Sequence, residues 1–368
     1  MVIDIHLTRA LRGKPTEPRS YQQIFERGID PDVENPEMCH SHSEIPDEYP
    51  PLSEILDYQQ RVRDRVKAIF RFEELSPLLG EALFIGFEHE VMHLETFLYM
   101  LLQSDKTLPP PGVNRPDFEG MFRNARRTEK VNQWFTIPKQ TVAIGIDVPG
   151  DDKVPDVSFG WDNEIPRRTT TVYSFEAQAR PVTNLEYAQY MGANHKKSHP
   201  ASWVPAHPDR ELNDRSSPSK SILSRFAVRT MFGLISLELA QDWPVTASYD
   251  ELACYAKWKN CRLPTFEEAK SLYQYAEYLK RKGSRSAVNG HGQNETLYRQ
   301  NFPSQMPVFV ELDGSNVAFD HWHPCPVTPN GDKLAGQGEL GGVWEWTSTA
   351  FMPHRGFKAM EAYPGYSG

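Results

Sequence analysis

The 368-residue sequence contains no run of about 18 or more apolar residues, so nothing in it reads as a membrane-spanning helix. Cysteine is scarce. Cys39, Cys254, Cys261 and Cys325 are widely scattered and include no Cys-x-x-Cys pair, which excludes a disulfide scaffold and a thiolate metal site of that spacing. Cys254 and Cys261, beside an aromatic helical stretch, read as small core residues. A basic excess is also missing: 40 Lys and Arg stand against 49 Asp and Glu, a formal net charge of −9. Binding nucleic acid by blanket phosphate neutralisation needs a basic face, so that class is excluded. Two short basic stretches, Arg123-Asn-Ala-Arg-Arg127 and Lys280-Arg-Lys-Gly-Ser-Arg285, read as solvated surface. The opening residues, Met1-Val-Ile-Asp-Ile-His6, show no basic segment followed by an apolar one and do not read as a secretory signal. A reducing, cytoplasmic setting is the expectation.

What is present suffices for folded cores: 39% hydrophobic and 11% aromatic residues. At about 150 residues per domain the length suggests two domains. Over residues 52–72, Leu52, Ile55, Leu56, Val62, Val66, Ile69 and Phe70 recur near the helical period. Over 78–103, apolar residues from Leu79 to Leu101 cover more than half the circumference, which predicts a buried helix of a bundle. The proline run at 108–116 ends it, because consecutive prolines cannot continue a helix. A helical domain is therefore expected over residues 1–130 and a second domain over 131–368. The second reads as short strands (133–138, 141–147, 167–175) and helices (184–191, 249–257, 265–282), with long polar loops at 192–220 and 284–300.

The most informative constellation is His89-Glu90-Val91-Met92-His93. Helical residues four apart lie about 40° apart around the axis and one turn along it, so both imidazoles can reach one metal ion. The plain alternative is two hydrogen-bonded core histidines. Taken literally, His-Glu-x-x-His is the zinc metalloprotease signature, with Glu90 as general base. Thr96 and Tyr99 stand where one protease class needs Gly and a third His, and Glu95 is too close to serve as the downstream ligand of another. The competing use is a bundle-borne site completed by a third ligand from a neighbouring helix. Three imidazoles on one face of an octahedral Fe(II) leave positions for substrate and O2, the logic of a facial-triad oxygenase. Glu88, Glu90 and Glu95 are placed to orient the rings through their free N–H groups.

The segment Gly86-Phe-Glu-His-Glu-Val-Met-His-Leu-Glu-Thr-Phe-Leu-Tyr-Met-Leu-Leu-Gln-Ser104 resembles the metal helix of the DinB-like four-helix bundle in ergothioneine-biosynthesis sulfoxide synthases (hercynylcysteine S-oxide synthases). The later sequence resembles their formylglycine-generating-enzyme-like (sulfatase-modifying-factor) domain. Its marks are Glu164-Ile-Pro-Arg-Arg, Arg180-Pro-Val-Thr-Asn-Leu-Glu-Tyr-Ala188, Arg262-Leu-Pro-Thr-Phe-Glu-Glu-Ala269 and Gly341-Gly-Val-Trp-Glu-Trp-Thr347. The wording of Phe25-Glu-Arg-Gly-Ile-Asp-Pro-Asp-Val and Cys39-His-Ser-His-Ser-Glu-Ile-Pro-Asp-Glu48 is similar to the fungal branch.

The resemblance implies an α+β chain: a DinB-like helical bundle, then a loop-rich, C-type-lectin-like domain. It implies Fe(II)- and O2-dependent joining of cysteine to the imidazole carbon of hercynine, giving a sulfoxide, with small-molecule partners, no nucleic acid and no membrane. His89 and His93 would be metal ligands. Met92 stands where some bacterial relatives carry an amide that contacts hercynine. His40 and His42 lie in the segment where bacterial relatives place arginines for the thiol substrate, and they count as binding candidates. Bacterial relatives deliver a proton or electron through a Tyr in the segment after Trp-Glu-Trp. Here Phe351 lies in that segment and lacks the hydroxyl, leaving Tyr99 or His354 as proton donors and Phe351 as a substrate contact. The family's third histidine sits in a Gly-His pair just before the sequence that matches residues 2–9. His6 is therefore only a substitute, and the chain is expected to be cut at both ends of a larger unit. The alternatives are a catalytically incomplete fragment acting as a binding module and, behind it, the zinc protease. Formylglycine-generating chemistry needs a cysteine pair that Cys325 alone does not provide.

Overall fold

Among the described residues up to 101 there are four helices: α1 (Val2–Leu11), α2 (Ser20–Ile24), α3 (Leu52–Phe72) and α4 (Pro77–Leu101). A computed structural model describes residues 2–24, 48–72, 75–147, 159–196, 198–206, 222–288, 315–317 and 319–360. The chain forms two compact units, one of Met1–Met100 with Gly145–Arg167 and Pro353–Gly368, the other of Leu101–Ile144 with Arg168–Met352. None of the helices is long and apolar enough to cross a membrane, among the described residues.

The first unit holds its helices with two small apolar clusters and one polar node. Leu7, Ile69, Leu79 and Ala82 form one cluster; Tyr21, Tyr58 and Val62 form the other. The node is Asp4, which is fully buried on α1. Its carboxylate accepts from Thr16 Oγ1 (2.5 Å), Arg65 Nη1 (2.6 Å), Gln22 Nε2 (2.7 Å) and Tyr58 Oη (3.0 Å). Burial alone pushes a carboxyl up, but the donors from Thr16, Gln22 and Arg65 outweigh it and hold Asp4 below the usual aspartate range. The node stitches α1 to α3 and to the chain around α2, and it explains how a short first helix stays docked.

Pattern predicts α4 to be buried along its length, and the structure corrects this. Only Leu79, Ala82, Ile85 and Gly86 of the helix are buried. Gly86 is the contact point with α1, for a Cβ there would lie 2.5 Å from the Cβ of Ile3. From Phe87 onward, Val91, Met92, Leu94, Phe97, Tyr99, Met100 and Leu101 are exposed. Periodicity reports that a helix is apolar; it does not report how much of its length a neighbour covers. The cluster built with α1 and α3 reaches only the first turns of α4.

The second unit begins with α5 (Phe118–Thr128), capped by Asp117, whose carboxylate accepts from the Gly120 N–H at 2.8 Å. Strands β1 (Trp134–Ile137) and β2 (Gln140–Ile144) follow, then β3 (Arg168–Val172) and β4 (Phe175–Gln178). The single strand expected at 167–175 is broken at Tyr173–Ser174. β3 pairs antiparallel with β2 and β4 pairs antiparallel with β1, so the chain crosses from one ribbon to the other at that point. Next come α6 (Asn184–Ala193), β5 (Trp203–Pro205), α7 (Ile222–Arg225), β6 (Phe226–Thr230) and β7 (Gly233–Ser236), then α8 (Tyr249–Trp258) and α9 (Phe266–Val288). The antiparallel sheet β5–β6–β7 has no counterpart in the sequence reading, because its strands are too short to show alternation.

An aromatic core fills this unit: Trp203, Trp243, Phe118, Phe226, Tyr187, Tyr190 and Tyr255. Two of its buried polar side chains are linked to each other and to the backbone. Trp203 Nε1 donates to Asn184 Oδ1 (3.0 Å), and Asn184 Nδ2 donates to the Ala240 carbonyl (2.9 Å). Two of the marks quoted from the sequence prove to be one device used twice. In Arg180…Thr183…Glu186 and Arg262…Thr265…Glu268 the threonine starts a helix, the glutamate closes a capping box or its equivalent, and the arginine pairs with the glutamate. The sequence places Cys254 in the core, whereas the structure exposes it on α8; Cys261 is half-buried. On α8, Leu252 and Tyr255 pack into the aromatic core, and Cys254 is left to solvent.

Candidate metal centre

α4 carries the candidate site on the stretch that its neighbours leave uncovered. His89 is half-buried and His93, one turn on, is exposed. Their rings face each other at 64° with centroids 4.5 Å apart, and Nε2 of one lies 2.8 Å from Nε2 of the other. With no ion, one neutral ring donates and the other accepts. With an ion, both nitrogens offer lone pairs to one point. Imidazole nitrogens bind zinc, a yardstick for first-row ions, at about 2.0–2.1 Å, so two of them meeting at a right angle stand about 3 Å apart. The donor chemistry and spacing of this pair fit a shared metal ion. The helix alone sets this geometry, since a residue four positions along returns to the same side. His93 also lies against Phe97, with ring centroids 5.8 Å apart.

His6 is the third imidazole on this side of the first unit. It is buried on α1; burial first, then the charges of Arg9 and His89, pull it down to about 4. A histidine in that state is neutral, the form that binds metals. It is within electrostatic reach of His89, yet no group of three or more His, Cys, Asp or Glu side chains is gathered closely enough to hold an ion among the described residues.

The other candidates divide cleanly. Met92 lies about 60° round the helix from His89 and is 40% exposed, so it flanks the pair. Tyr99 lies about 120° round from His93; its hydroxyl is 3.4 Å from Thr96 Oγ1 and the helix points it away from the pair. His354 is half-buried against Phe357, and its Nε2 is buried without a hydrogen-bond partner among the described residues. Phe351 is exposed in the second unit. His40 and His42 lie outside the described residues. His6 is the group that sequence reasoning set aside and the structure brings forward. Its burial on α1 at the apolar spacing of Ile3 and Leu7 was the available signal.

Comparison with known proteins bears on the whole chain. Residues 121–367 match the family described as Sulfatase-modifying factor enzyme 1-like domain. The chain is 45% identical to "Ergothioneine biosynthesis protein 1" of Neurospora crassa over 99% of its own length and 47% of that protein. It is 29% identical to the protein of the same name from Schizosaccharomyces pombe, over 99% of the chain and 44% of that protein. "Hercynine oxygenase" of Mycolicibacterium smegmatis is 28% identical over 76% of the chain and 58% of that protein. The chain thus spans about half the length of the curated relatives it matches.

Proposed function

The chain belongs to the sulfatase-modifying factor enzyme 1-like family, and we propose that it takes part in sulfoxide synthesis for ergothioneine: Fe(II)- and O2-dependent joining of cysteine to hercynine. The observation that carries this reading is the convergent imidazole pair, with Nε2 atoms 2.8 Å apart, on the uncovered stretch of α4. The names of the fungal and mycobacterial relatives give the pair its chemical context. Fe(II), when bound, would supply the electron chemistry that lets O2 react with a thiol. In the balanced reaction the imidazole C–H and the thiol S–H are replaced by one C–S bond; one oxygen atom ends on sulfur and the other leaves as water.

The chain's own part is holding, walling and proton handling. His89 and His93 hold the ion, and Met92 supplies an apolar flank to the substrate beside them. Phe351 offers an aromatic surface but no proton. Of the two candidate proton donors, His354 has an Nε2 with no partner among the described residues, and Tyr99 has a hydroxyl turned off the pair. His40 and His42 are assigned to the thiol substrate's carboxylate. The division near residue 130 and a cytoplasmic location belong to the same reading.

The test is to load the full chain with Fe(II) without oxygen, add hercynine and cysteine, admit O2 and look for the sulfoxide by mass spectrometry. Product that disappears in His93→Ala is expected; robust product from that variant overturns the assignment.

A further inference from the structure

His89 and His93 aim two imidazole nitrogens at one point, and two donors are half of what a closed metal site needs. Zinc in a closed protein site takes four ligands in a tetrahedron, and imidazole suits it well. Among the described residues, no group of three or more His, Cys, Asp or Glu side chains is gathered to complete such a set. We propose that a second copy of this chain completes it: one zinc ion bridges His89 and His93 of two chains across a twofold axis. The proposal rests on the pair as a metal site, and not on iron or oxygen chemistry.

Access and symmetry favour that occupant. α1 meets α4 at Gly86, short of His89, and beyond that point His93 and its neighbours are exposed. A twofold contact joins the same patch of both subunits, so the patch must complement itself. The pair does so through the ion, because each chain gives two of four equal donors.

The rim of the pair is apolar. Around the helix axis Met100 lies about 20° from both histidines, Phe97 about 40° from His93 and Met92 about 60° from His89. Their exposures are 55%, 53% and 40%. These side chains would meet their symmetry mates beside the ion and lose water there.

Charge and size make the contact depend on metal. α4 carries Glu81, Glu88, Glu90 and Glu95 and neither Lys nor Arg, so two copies of it repel until a dication lies between them. Residues 87–100 form a strip about 21 Å long and about 10 Å wide. That is roughly 200 Å² per chain, against the ~800 Å² per partner of a standard interface. The strip is too small to hold a dimer alone, and the ion supplies what it lacks.

Four imidazoles leave a tetrahedral ion no open position. The bridged dimer is therefore the closed form of the site, and removal of zinc reopens it to substrate.

The experiment adds Zn(II) to the metal-free full chain, follows mass by sedimentation velocity, and measures zinc in the separated species. Expected is a monomer without metal, a dimer with one zinc for every two chains at half an equivalent, and return to monomer with EDTA. His93→Ala should stay monomeric at the same zinc concentration, with an unchanged far-ultraviolet circular dichroism spectrum. Phe97→Lys keeps both ligands and puts like charges across the axis, so dimerisation should weaken about tenfold. A dimer without metal, one zinc per monomer with no change of mass, or a zinc-dependent dimer in His93→Ala would each overturn the bridge. One zinc per monomer still leaves the pair a metal site, whereas no zinc uptake at all removes both the bridge and the metal reading of the pair.

Discussion

The two ends of α4 are equally apolar in sequence and meet opposite fates. Leu79, Ala82, Ile85 and Gly86 are buried, with Gly86 against Ile3 of α1, whereas Val91, Met92, Leu94, Phe97 and Tyr99 are 40–57% exposed. The histidine pair lies at the boundary and beyond it. One helix therefore serves two ends: its first turns carry stability, and its later turns carry ligating groups at an open surface. Substitutions in the first half should unfold the unit and spare nothing; those in the second should leave the fold intact and remove chemistry.

The hardest way to break this contrast is to free α1, which covers the buried half. Arg65→Met strips Asp4 of its charged partner and leaves a buried carboxylate under-compensated, an expected loss of about 3–5 kcal/mol. Hydrogen exchange should rise together across α1, α3 and the first turns of α4. Ile85→Ala comes next: the side chain is fully buried, and such truncations cost about 2–5 kcal/mol. Urea unfolding monitored on the same peptides would register it. Gly86→Ala should cost about 1–3 kcal/mol, because the new methyl meets both the side chain and the backbone of Ile3.

Acid provides a graded version of the Arg65 experiment. The folded Asp4 carboxyl lies below its ordinary value of 3.8, so its contribution is complete above that value and is lost as pH falls through the folded one. Exchange in α1 should accelerate in two stages as pH falls: first from about 6.5 toward 4, where the unfolded chain takes up a proton that buried His6 refuses, and then over the Asp4 window below that. Smallest of all should be Phe97→Ala, within about 0.5 kcal/mol in unfolding, since the ring is already 53% exposed. A loss there as large as that of Ile85→Ala would show that the later turns of α4 are covered in solution.

Much of this architecture was legible before any coordinates. Helical periodicity located α3, α4, α6, α8 and α9 to within a few residues at most boundaries, and the four-residue spacing of His89 and His93 on a helix already required that the imidazoles converge. What escaped was set by tertiary neighbours. Short elements such as β5, α7 and β7 carry too few residues for a period to show. The break at Tyr173–Ser174 depends on which partner strand each half finds, and residues 167–175 look like one β-rich run. His6 reads as a polar residue in an apolar segment; only its burial beside α4, and the field of His89, make it part of the site. Cys254 has the composition of a core residue on a helix whose other face supplies the core. The repeated Arg–Thr–Glu motif was visible as a family mark, but its work as a helix-start clamp is visible only in the hydrogen bonds.

The pair on α4 is tested most directly by anaerobic calorimetric titration of Fe(II) into the full chain, alongside His89→Ala and His93→Ala. Binding of one ion per chain is expected, weakened at least tenfold in each variant while the unfolding midpoint stays the same. Variants that take up Fe(II) as the unaltered chain does would contradict a metal centre on α4.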